Sequence, residues 1–165
     1  MNAAQKILIF GGSILAAFGM LYGLHYAIFV EHQTLDRMGG SLAAAFVHAA
    51  EGNSPEAETA VESYAATKYE YVRQVDVHSH WIGLAMLLIL MGVIFDYVAF
   101  SLRARFWIAI ALLAGAFVFP FGVVLQTSRF GAPLASALAV LGAALVTIAL
   151  AAVALGLAVR TPADR

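Results

Sequence analysis

Residues 133–159 read PLASALAVLGAALVTIALAAVALGLAV, a run without one ionisable side chain. A helix needs about 20 apolar residues to cross the hydrocarbon core of a bilayer, where each unpaired backbone amide costs several kcal/mol. This run is longer than that. Working back along the chain, the stretches 106–125, 81–102 and 7–30 meet the same requirement. Composition agrees: of 165 residues 62% are hydrophobic and 12% charged, whereas soluble domains are roughly half apolar and a quarter charged. The sequence therefore predicts an all-α integral membrane protein, a four-helix bundle forming a single membrane domain over 1–165. Lys6 ahead of an apolar run also describes a secretory signal peptide. That run outlasts the usual apolar region of about 7–15 residues, and no A-x-A-like site closes it.

The charges orient the chain. Lys6 precedes the first span, Arg103 and Arg105 separate the second from the third, and Arg160 and Arg165 follow the fourth. The other side holds Arg129 and a long first connection, 31–77, where Arg37, Lys68 and Arg73 are outnumbered by carboxylates. Cytoplasmic loops carry the excess of Lys and Arg, so both termini are expected in the cytoplasm, with the long connection outside a membrane such as a bacterial inner membrane.

That connection has helical periodicity. Leu35, Met38, Leu42, Phe46 and Ala49 form one apolar stripe, and Ala57, Val61, Tyr64, Val72 and Val75 another. Between them lies E-G-N-S-P-E, in which Gly52 is suited to end one helix, Ser54 to cap the next and Pro55 to open it. The reading is an extramembrane helical hairpin, its turn near Asn53, its arms continuing the first and second spans, with a kink at Gly39-Gly40. Two helices cannot bury both stripes alone, so a homo-oligomer or a larger membrane complex is expected.

Net charge is −1 and there is no cysteine. No basic field recruits nucleic acid, and disulfides, thiolate metal sites and c-type haem attachment are excluded. No nucleophile–base pair, phosphate loop or H-E-x-x-H motif occurs, which points to a non-catalytic or electron-transfer subunit rather than a stand-alone enzyme.

The five histidines, at 25, 32, 48, 78 and 80, all precede the last two spans. With the turn at Asn53, residue i faces about 106 − i, which brings His25 and His32 near the depth of His78 and His80 at the outer boundary. His25 and His32 are two turns apart on one face, while His78 and His80 point about 160° apart. Imidazoles from facing helices at matched depth suit bis-His ligation of a b-type haem or a bound metal. The expected ligands are His25 with His78 or His80, and for a metal also His32 and Asp76. Asp76 stands i, i+4 from His80, a spacing that orients an imidazole or forms a surface ion pair. Arg73 and Arg129 are candidates to hold haem propionates. Gly19 and Gly23 offer a flat surface to a macrocycle, although G-x-x-x-G in a span more often marks close helix packing. The string V-D-V-H-S-H also resembles metal motifs on barrel strands, but here it feeds a membrane helix.

Asp96 is expected to pair with Arg103, Pro120 to kink the third span, and Gln126 to offer a hydrogen bond to a quinone or axial ligand. The leading expectation is a membrane electron-transfer subunit. The alternatives are an accessory or scaffolding subunit with incidental histidines, and a copper- or zinc-handling protein in which Met20, Met38 and Met86 assist.

Overall fold

The computed structural model describes residues 1–126 and 132–159. Among them the chain is helical, with no strand. The helices are α1 (Ala3–Phe29), α2 (Glu31–Ala50), α3 (Ser54–Ile94), α4 (Leu102–Gln126) and α5 (Ala132–Ala158), with a short 3-10 turn at Phe95–Tyr97. Four stretches are long and apolar enough to cross a membrane: Ala3–Phe29, Ser54–Tyr97, Leu102–Gln126 and Pro133–Ala158. They are compatible with an integral membrane protein.

The helix ends follow from local chemistry. At the start of α1 the Asn2 side chain accepts from the Gln5 amide and the Gln5 side chain from the Asn2 amide, both at 2.9 Å. That reciprocal pair satisfies two donors that a helix start leaves unpaired. At the end of α2, Gly52 has φ +73°, which costs little without a Cβ. Its amide donates to Ala49 O and that of Asn53 to His48 O, the double closure that turns a chain out of a helix. The turn thus falls at the expected place. α3 begins at Ser54 itself, so Asn53 stands in the cap position expected of Ser54.

Both arms of the hairpin continue their apolar stretches. α3 is unbroken over 41 residues. α1 and α2 are separated only at Val30 (φ −124°), across which Val30 N donates to Tyr26 O and Thr34 N to Val30 O. The buried Thr34 hydroxyl also donates to Val30 O, 2.9 Å away, a back-bond that bends helices. The irregularity therefore lies at Val30; α2 continues through Gly39-Gly40, where the kink was expected.

The second span was expected to reach 102, but α3 ends at Ile94. The chain leaves the helix while still apolar, through Phe95, Val98 and Phe100. Ala99 N donates to Gly156 O, and Ser101 caps α4 by accepting from Ala104 N at 3.3 Å. Arg103 and Arg105 consequently lie in the first turn of α4.

The chain packs as two units, Met1–Met20 with Val77–Arg165, and Leu21–Asp76. In the first, α4 and α5 run against each other. Trp81, Leu88, Leu8, Leu112 and Pro120 are the largest side chains wholly enclosed there, with Phe95 and Val98 beside the turn. Glycines set the spacing: a Cβ on Gly12 would stand 2.9 Å from Ala85 O, and one on Gly115 2.8 Å from Gly142 O. Such contacts let backbones approach closely, as helices in lipid require. In the second unit, the end of α1 with α2 pairs with the first half of α3, and α2 buries only Thr34 and Ala45.

Candidate functional site

The pairing of the two arms decides which histidines share a level. Near the hairpin turn the expectation is nearly met, with Ser41 facing Ser63 at 3.2 Å. In the unit of Met1–Met20 it has slipped by more than a turn: Gly19 lies against Trp81 and Ile82, not Leu87. One arm is interrupted at Val30 and the other is continuous.

His78 and His80 belong to that first unit. His78 Nδ1 lies 2.9 Å from the Gly19 carbonyl. A carbonyl only accepts, so Nδ1 carries the proton, and in the neutral ring Nε2 keeps its lone pair. The backbones are close here: a Cβ on Gly19 would stand 3.0 Å from Trp81 Cβ. Gly19 thus serves helix packing, and that packing brings its carbonyl to the imidazole. His80 is exposed, its ring centroid 4.8 Å from that of Phe119 on α4. Trp81 makes an edge contact with Phe18 at 4.8 Å.

His25, His32, His48, Arg73 and Asp76 belong to the other unit. His25 is exposed, with its ring 5.3 Å from that of Phe29 one turn on. Beside it in sequence, Tyr22 bonds to Gln74, and the buried Tyr26 ring lies 6.4 Å from Tyr71. His32 faces Asp36 at 3.9 Å, both side chains in solvent, and His48 Nδ1 is 3.5 Å from Glu51. The Arg73 guanidinium lies over the Tyr69 ring at 5.1 Å. Arg129 lies outside the described residues. Among the described residues no three of His, Asp and Glu gather as a metal cluster.

Asp96 pairs differently from the expectation. Its carboxylate accepts from Asn2 Nδ2 at 2.7 Å and Gln5 Nε2 at 2.9 Å, and Arg105, not Arg103, stands 3.7 Å away. Arg105 also donates to Phe100 O at 2.8 Å. The group ties the start of α1 to the turn after α3. Gln126 donates to Ser136 at 3.4 Å. Pro120 is enclosed within α4.

The reading of the sequence by its histidines missed the polar girdle in the Leu21–Asp76 unit. There Tyr71 donates to Glu31 at 3.4 Å and Arg37 to Thr34 at 3.4 Å, beside the Tyr22–Gln74 pair. The signal was available: Tyr22 and Tyr26 recur at i, i+4, and Tyr71 and Gln74 at i, i+3, so each pair shares a helix face. No family model, curated protein or solved structure matches the chain.

Proposed function

We propose that the protein is an integral membrane subunit carrying a b-type haem or a histidine-bound metal near one membrane boundary, and that it passes electrons between a membrane quinol and a partner outside the lipid. The observation behind this reading is the His78 ring, whose Nδ1 donates to the Gly19 carbonyl. Ligating histidines commonly fix their tautomer by such a bond, leaving Nε2 for the metal. His78 is then one ligand; the residues that the sequence offers beside it are His25 for a haem, and His25, His32, His80 and Asp76 for a metal. Arg73 and Arg129 remain the candidates for propionates. Copper and zinc are the alternatives that accept the same imidazole donors. A haem held there would supply one-electron chemistry.

The topology that accompanies this reading places four bundled helices in a bacterial inner membrane and both chain ends in the cytoplasm. The hairpin of α2 and the first half of α3 then stands in water, where it joins an oligomer or a larger complex. The positions of Lys6, Arg103 and Arg105 against the carboxylates of the hairpin support it.

The test is the visible spectrum of the purified protein before and after dithionite, with elemental analysis. The expected result is a Soret band that shifts on reduction, or stoichiometric copper or zinc, lost in His78→Ala and kept in His48→Ala. A colourless, metal-free preparation ends the proposal, and an unchanged spectrum in His78→Ala removes His78 from it.

A further inference from the structure

We infer that the end of the hairpin is a docking groove for a cationic amphipathic helix of another protein. The inference rests on the hairpin standing in water, and is independent of any cofactor.

The groove lies within the Leu21–Asp76 unit and has a volume of about 460 Å³, with Leu42, Phe46, Ala49, Ala57, Glu58 and Val61 in its lining. Its floor is the buried Ala45, but its larger apolar members are not covered by their own unit: Phe46 is 69% exposed and Val61 51%. The sequence explains why. Leu42, Phe46 and Ala49 recur at helical spacing on α2, and Ala57 and Val61 do so on α3, but α2 and α3 are small-residue helices here and meet without filling the space between the stripes. Another face of the same turns mixes polar side chains with alanines, Ser41, His48, Glu56, Thr59 and Ser63 beside Ala44 and Ala60. The hairpin therefore presents one mixed face and one almost wholly apolar.

Charge selects the occupant. Between Met38 and Thr67 there are four carboxylates, Glu51, Glu56, Glu58 and Glu62, and no Lys or Arg. All four are exposed, and Glu58 stands in the groove itself. An anionic lipid surface meets like charge there, and so does the same end of a second copy, within the roughly 8 Å over which such charges act at physiological salt. A helix with leucines on one face and lysines along its edges satisfies both features, filling the groove as apolar anchors spaced i, i+3, i+4 do and pairing with the rim.

The experiment uses the full chain in phosphatidylcholine nanodiscs, with empty nanodiscs as the blank, and two fluorescent 18-residue helical peptides, one of Leu and Lys and one of Leu and Glu, followed by anisotropy. The expected result is saturable binding of the Leu/Lys peptide alone, weakening as salt rises. Phe46→Glu and Glu58→Lys each lose about tenfold or more in affinity, while Glu70→Lys, an equal change of charge further down the arm, stays close to the parent. Binding of both peptides alike, or an equal loss in Glu70→Lys, overturns the inference by showing non-specific attraction. A dimer that forms without peptide and is broken by Phe46→Glu overturns it in favour of self-association. All the changed side chains are exposed, and retained helicity by circular dichroism shows that a loss of binding is not a loss of fold.

Discussion

Glycine means opposite things at the α4–α5 contact and in α2. Where α4 and α5 meet, a Cβ on Gly142 would stand 2.7 Å from Phe119 Cα, and one on Gly122 2.8 Å from Ala139 Cα. In α2, Gly39 and Gly40 have nothing within 4 Å of the same position. Glycine inside a helix costs about 1 kcal/mol in propensity wherever it occurs. At the α4–α5 contact close packing of backbones offsets that cost, and among apolar helices in lipid such packing is a main source of association. In α2 nothing within its own unit does so. The same contrast runs through burial: α4 encloses side chains from Ala109 to Val123, whereas α2 encloses only Thr34 and Ala45. Both units leave apolar side chains exposed, among them Phe10, Trp107 and Ile148 in the first and Phe46 and Val61 in the hairpin, but α4 encloses a run of its own residues and α2 does not.

The contrast breaks most severely at the α4–α5 contact. Gly142→Val sets a branched side chain against the backbone of Phe119, which cannot rotate aside as a flexible side chain would. The expected loss is on the order of 3 kcal/mol, at the upper end of overpacking effects, read as a collapse of the monodisperse peak and a lower thermal midpoint in detergent. A variant as stable as the parent would show that α4 and α5 do not pack at this distance. The next largest effect is expected at Gln5, which is 6% exposed and serves both the α1 cap and Asp96. Gln5→Ala removes both bonds at an expected cost of about 1–2 kcal/mol, measured by the same melt. Asn2→Ala should follow it in direction because it shares the same carboxylate.

The four long apolar helices were legible because hydropathy averages over many residues and forgives any single one. The hairpin turn was legible because Gly52 and Pro55 act locally. The end of α3 was not: Phe95, Val98 and Phe100 stay apolar after the helix has stopped, and the chain beyond it is held by a bond from Ala99 to Gly156, far along the chain. Asp96 shows the same limit, since spacing pointed to Arg103 and the fold supplied Asn2, Gln5 and Arg105. For the histidines the sequence gives positions on helices but not register, and it does not announce the interruption at Val30, where the Thr34 hydroxyl bonds the backbone. The Gly19 carbonyl that orients His78 is a backbone group, so no side-chain pattern announces it.

The smallest effect sharpens the comparison most. If Gly39 and Gly40 have open space around them in the working protein, alanine at either position relieves the conformational entropy of glycine without meeting any neighbour. Each substitution should then raise stability by about 0.5–1 kcal/mol, seen as a higher midpoint in a circular-dichroism melt of the full chain. The two changes should also add, because neither side chain reaches a shared partner. A drop in stability at one of them, in a preparation that is oligomeric, carries a different message: another backbone then lies against α2 where this chain leaves space. The two groups of glycines would in that case do the same work, one within the chain and the other between chains.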